Sequence, residues 1–156
     1  MKLKIFRLRK GAKLPVRAYP TDAGMDLFYC PSMTEPNPFS AYDISLGPGS
    51  GTLIPTGLKI GVPKGYMLEI KNKSGIATKQ RLVVGACVID SGYDGEIYVN
   101  LNNLGTSVRQ IVPGQKIAQA VLVPIETCGI KEIDQDNVYG EETSRASGGF
   151  GSTGDF

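Results

Sequence analysis

The chain contains no histidine and no tryptophan, and its three cysteines, Cys30, Cys87 and Cys128, are far apart with no CxxC pair. Without histidine there is no Ser-His-Asp or Cys-His device, and the commonest transition-metal ligand is missing. Scattered thiols do not make a zinc site, and an odd number of them reads as reduced cysteine. If the chain is an enzyme, its base is expected to be a carboxylate, and any metal a hard cation held by oxygen. Long apolar runs are also missing: none approaches the roughly 18 residues of a membrane span. The opening "MKLKIFRLRKG" alternates cation with hydrophobe and does not read as a signal peptide. Net charge is only +2, which gives no general affinity for a polyanion, so neither nucleic acid nor membrane is an expected partner. A basic site for one small anion remains allowed. The default compartment is cytoplasmic, or the host cytoplasm or virion if the source is viral.

What is present fits one modest domain. The chain has 156 residues, 41% hydrophobic and 21% charged, which is ordinary for a globular protein. Glycine (20) and proline (10) are spread along it and punctuate short apolar runs. "LKIFRLR" alternates with period two, as a half-buried strand does. "TLIPTGLKIGVPKGYMLEIK" reads as three short strands broken at residues 55–57 and 63–65. "RLVVGACVID" and "EIYVNLNN" are β-rich arms around Ser91–Gly95, a hairpin or a tight return. "QKIAQAVLVPI" is a further strand, and only "SGIATKQ" predicts a helix, of one or two turns. Many short strands with turn signals predict an antiparallel sandwich or barrel. Residues 1–135 are expected to form it, with 31–43 a surface loop and 136–156 an extended C-terminal arm.

Five stretches stand out from a plain scaffold. "TDAGMDLF" sets Asp22 and Asp26 around a glycine. "NKSGIA" places Lys73 and Ser74 beside Gly75 at the predicted helix start, where backbone N–H groups, a hydroxyl and a cation form an anion seat. "VIDSGYDGE" puts Asp90 at the end of an apolar strand, three residues before Tyr93. "GQKIAQ" carries Lys116 and Gln119 on an otherwise apolar strand. "RASGGFGSTG" (145–154) has four glycines in ten residues, yet offers Arg145, Phe150, Ser152 and Thr153. Each has an ordinary reading as turn, cap, solvent-facing strand or linker. Together they suit one ligand, a phosphorylated nucleoside.

The ordered set "DAGMDL", "KSGIA", "GACVIDSGYDGE", "PGQKIAQ" and "RASGGFGSTG" resembles the five motifs of trimeric deoxyuridine triphosphatase (dUTPase), over residues 15 to 154. That resemblance implies a jelly-roll-like β barrel, assembled as a homotrimer with shared active sites. It implies Mg²⁺-dependent hydrolysis of dUTP to dUMP and pyrophosphate, which supplies dUMP for thymidylate synthesis and keeps uracil out of DNA. By the same resemblance Asp90 activates the water. Lys73, Ser74, Gly75 and Gln119 hold phosphate oxygens, and Asp26 reaches the metal through water. Backbone groups near Val84, Gly85, Val88 and Tyr98 read uracil, and Tyr93 packs on deoxyribose. The tail is implied to be a lid that orders on ligand. Phe150 stacks on the base and Arg145 meets the phosphates like an arginine finger. Gly151, Ser152 and Thr153 complete the seat.

Three positions depart from the family's habit. Lys73 and Lys116 stand where arginine is more common, keeping charge but losing the bidentate fork. Cys87 replaces a common glycine. A related family, deoxycytidine triphosphate deaminase, shares the barrel but uses a glutamate ten residues after the turn aspartate. Here that position is Asn100, which cannot act as the base. A second class of function, a nucleotide-dependent regulatory binding protein on the same fold, remains an alternative.

Overall fold

A computed structural model describes residues 1–32, 42–134, 136 and 138–148. Its compact unit runs from Met1 to Glu126, and Thr127–Phe156 forms a second unit. The described residues hold eleven strands and one helix: β1 (Lys4–Arg7), β2 (Met25–Phe28), β3 (Ile44–Leu46), β4 (Gly51–Pro55), β5 (Leu58–Gly61), β6 (Tyr66–Lys71), α1 (Ser74–Gln80), β7 (Leu82–Val84), β8 (Val88–Ile89), β9 (Tyr98–Asn103), β10 (Arg109–Ile111) and β11 (Lys116–Pro124). The three-strand reading of 52–71 and the short helix are both found. All strand pairs among the described residues are antiparallel, in sheets ordered β2-β11-β6-β8, β4-β9-β7, β1-β5 and β10-β3. The architecture is a jelly-roll-like β barrel. No helix among the described residues is long and apolar enough to cross a membrane.

The core follows from period-two alternation. In β9, Val99 and Leu101 are fully buried while Tyr98 and Asn100 lie on the other face. In β6, Leu68 and Ile70 point inward and Glu69 and Lys71 outward. Ile54, Leu58, Ile60, Ile97, Ile111 and Ile117 complete a continuous apolar interior. Each such side chain contributes about 1.5–3 kcal/mol on burial.

Two strands break the alternation, and both matter for the site. β2 is buried at all four positions, including the charged Asp26. β11 carries a bulge between Lys116 and Ala118: Lys116 pairs with Phe28, Ala118 with Leu27 and Gln119 with Asp26. Residues three apart in a regular strand point to opposite faces. The extra residue of the bulge turns Lys116 onto the same face as Gln119.

Candidate active site

Sheet β2-β11-β6-β8 has one face on the core and one turned outward. On the outward face the register aligns Asp26, Gln119 and Lys71 in a row across three strands, with Lys116 beside Phe28 at one end of β11. Lys73 follows β6 and forms the N-cap of α1, with no side-chain capping bond.

These residues converge on Asp26. Lys73 Nζ donates to Asp26 Oδ1 at 2.7 Å. Lys116 Nζ lies 2.7 Å from Oδ2 as an ion pair. Burial pushes the Asp26 carboxyl up, but the Lys116 and Lys73 ammonium groups outweigh it, and its pKa falls below the ordinary carboxylate value. A single buried carboxylate thus holds two partly exposed cations on one face. Gln119 is fixed close by: its Nε2 donates to the Asn72 carbonyl at 2.9 Å. Its carbonyl end lies over Gly24, where a Cβ would stand 2.0 Å from Oε1. The glycine of "DAGMDL" is therefore the space that the Gln119 amide occupies.

Ser74 and Gly75 are exposed in the first turn of α1, and a Cβ at Gly75 would meet nothing within 4 Å. The Ser74 carbonyl accepts from Thr78 Oγ1, and the helix start lies open beside Lys73.

Segment 84–98 is not a simple hairpin. β7 pairs with β9, whereas β8 leaves them to pair with β6 in the other sheet. Among the described residues no pairing joins β8 to β9, so the two arms diverge. Asp90 sits just past β8 at the sheet edge. It is exposed, and its carboxylate accepts no hydrogen bond from any described residue. Val88 is 54% exposed, and Tyr93 and Tyr98 are partly exposed. Two of the amides expected near a base already have partners inside the protein: Val84 N–H donates to Asn72 Oδ1 at 2.7 Å and Gly85 N–H to the Asn100 carbonyl at 2.9 Å.

Arg145 belongs to the second unit, where it is exposed and its Nε donates to the Gly148 carbonyl across a short turn. Phe150, Gly151, Ser152 and Thr153 lie outside the described residues. Asn72 and Glu96 have no role in the sequence reading. Asn72 is flanked by Lys71 and Lys73, and Glu96 closes "VIDSGYDGE", so position within a motif was the available signal. Among the described residues no group of three or more His, Cys, Asp or Glu side chains is placed to hold a metal.

The dUTPase family model matches residues 10–154. The deoxyuridine 5'-triphosphate nucleotidohydrolase of Gloeothece citriformis is 38% identical over 156 residues, covering 99% of this chain and 97% of that protein. Among solved structures, the dUTPase of Staphylococcus bacteriophage 80alpha with dUpNHpp is 28% identical with a TM-score of 0.83, covering 98% of each chain. It is one of the phage dUTPases that control transfer of virulence genes by a proto-oncogenic G protein-like mechanism. A mutant dUTPase from phage phi11 of S. aureus, whose structure reveals the coordination of a structural Mg(II) ion, is 27% identical with a TM-score of 0.74, covering 86% of this chain and 98% of that one.

Proposed function

This chain belongs to the dUTPase family, and from that premise we propose that it hydrolyses dUTP to dUMP and pyrophosphate on the outward face of sheet β2-β11-β6-β8 and in the cleft at its β8 edge. The observation that carries the reading is the convergence of Lys73, Lys116 and Gln119 around Asp26, beside an open helix start. It places two ammonium groups and a side-chain amide on one face of the sheet.

The two halves of the site do different work. Lys73 and Lys116, held by Asp26, present ammonium groups to phosphate oxygens. Ser74, Gly75 and Gln119 add donors at fixed positions. Asp90, exposed and with a carboxylate unpartnered among the described residues, is the base that takes a proton from water as it attacks the α-phosphorus in line, with pyrophosphate as leaving group. Positioning and charge neutralisation dominate, because phosphoryl chemistry asks little covalent work of the protein. For a Mg²⁺ that arrives on the triphosphate, Asp26 is the carboxylate that would hold it through water, once Lys73 or Lys116, which now engage its two oxygens, turned to phosphate. When bound, the ion neutralises phosphate charge.

Uracil enters between the diverging arms, near Val84, Gly85, Val88 and Tyr98. Because the Val84 and Gly85 amides have internal partners, the base edge is read by the remaining backbone groups of the cleft. Tyr93 lies against the sugar. Arg145, Phe150, Gly151, Ser152 and Thr153 act as the closing lid, and the catalytic assembly is a homotrimer with shared sites. Likeness to the phage 80alpha protein favours a second role, nucleotide-dependent binding of a regulatory partner, which a pull-down with and without dUTP tests.

The decisive measurement is pyrophosphate release from a panel of nucleoside triphosphates, by the full chain and by a version ending at Ser144. Strong selectivity for dUTP, with turnover collapsing in the shortened chain, is expected. Equal rates on dTTP or dCTP would overturn the substrate assignment, and full activity without the tail would overturn the lid. Light scattering should give a trimer; a fully active monomer would remove the shared site.

A further inference from the structure

The turn that carries Asp90 and Tyr93 is tied to the barrel through Glu96. The Glu96 side chain is 10% exposed and that of Arg9 is 20% exposed. Arg9 approaches as a fork: Nη1 donates to Glu96 Oε2 at 3.0 Å and Nη2 to Oε1. Nη2 also donates to the Cys30 carbonyl at 3.2 Å. Gly57 N–H donates to Glu96 Oε1 at 2.7 Å. The carboxylate thus receives bonds from two separate segments, before β2 and between β4 and β5. Bidentate, charge-assisted bonds of this kind are the stronger and more directional class.

The same residue bears on two aromatic side chains. The Glu96 backbone carbonyl accepts from the Tyr93 hydroxyl at 3.0 Å. The Tyr93 ring is held over Gly95, where a Cβ would stand 2.2 Å from the phenol oxygen and 2.3 Å from Cζ. Any side chain at 95 would displace the ring. The Glu96 charge also pushes the Tyr98 phenol pKa up, with burial adding to it. Tyr93 and Tyr98 therefore both answer to one anchored glutamate. Lys59 and Asp94 make a second tie to the turn at 3.2 Å, but Asp94 is solvent-exposed and such pairs contribute little.

We infer that Glu96, clamped by Arg9, is a positioning residue that sets the angle of the Tyr93 ring and so the preference for deoxyribose over ribose. This rests on the reading of the cleft as the dUTP site. Glu96 touches no reacting atom; it acts through Tyr93. If the clamp is loosened, the ring loses its fixed carbonyl acceptor and a ribose 2′-hydroxyl meets a movable wall.

The test uses full-length Glu96→Ala, Glu96→Gln and Arg9→Lys, with kcat and KM measured for dUTP and UTP and melting temperature recorded for each. Glu96→Ala is expected to lower the dUTP-over-UTP preference in kcat/KM at least tenfold, mainly through a lower KM for UTP, with kcat and KM for dUTP changed less. Glu96→Gln, which keeps acceptors for one Arg9 nitrogen or for Gly57, should recover part of the preference, and Arg9→Lys should fall between. If Glu96→Ala does not fold, the other two variants carry the measurement. A lowered melting temperature with unchanged preference would reduce Glu96 to a structural tie and overturn the inference. Wild-type protein inactive on dUTP would instead overturn the functional reading on which it stands.

Discussion

Asp26 lies buried in the middle of β2 with a lysine at each carboxylate oxygen, whereas Asp90, just past the edge strand of the same sheet, is exposed and its carboxylate accepts no hydrogen bond from any described residue. The first is locked as an anion: its pKa is held down by the two ammonium groups against the opposing effect of burial. Such a group is a poor base, because a carboxylate stabilised by two cations has little tendency to take a proton. The second faces solvent. The fold separates a buried carboxylate held between two lysines from an exposed one at the sheet edge; in the function proposed above, the first aims cations at phosphate and the second is the base.

The widest separation between the two should come from Asp90→Asn. Turnover is expected to fall by about 10²–10⁴-fold, with dUTP binding and melting temperature close to wild type. Pyrophosphate-release kinetics alongside calorimetry read this directly; near-normal turnover would place the base elsewhere. Asp26→Asn should behave in the opposite sense, with a loss of stability of about 1–3 kcal/mol and a raised KM for dUTP, because Lys73 and Lys116 lose the group that aims them.

That stabilisation also has a defined pH dependence. The Asp26 pKa is depressed on folding, so the contribution is present above the unfolded value of about 3.9 and is lost as pH falls through the folded value. Melting curves of wild type and Asp26→Asn should differ by a constant amount at neutral pH and converge in strong acid. A difference that persists there would show that Asp26 acts by packing rather than by charge. The smallest effect is expected from Lys73→Arg. A guanidinium can bond Asp26 and a phosphate oxygen together, so KM for dUTP should fall by about fivefold, equivalent to about 1 kcal/mol. An unchanged or higher KM would show that the cationic seat has no room for the fork.

Much of this was legible along the chain because it is local. The strands at 51–71 are bounded by Pro-Thr-Gly and Pro-Lys-Gly turns, and "SGIATKQ" is the helix Ser74–Gln80. Asp26 stood out as one of two carboxylates around a glycine, Lys73 as a cation at a helix start, and Lys116 and Gln119 as polar residues on an otherwise apolar strand. The divergence of β8 from β9 was not legible. Val88 and Ile89 pair with Glu69 and Leu68, some twenty residues back, and nothing in "GACVID" distinguishes that partner from β9. The internal partners of the Val84 and Gly85 amides were hidden for the same reason, since Asn72 and Asn100 reach them only after the sheets form.

Sequence alone determined the chemical vocabulary of this protein: a chain without histidine, with carboxylates as its candidate bases, lysines as its candidate phosphate cations and short strands as its scaffold. Tertiary structure decided which of these groups meet. Period-two alternation would send Lys116 and Gln119 to opposite faces, and only the bulge of β11 against β2 places both beside Asp26. Glu96 likewise reads as a surface residue of a turn until Arg9, 87 residues away, closes on it. Both outcomes depend on register between distant strands. Register is set by the packing of the whole apolar core and not by the residues that it brings together.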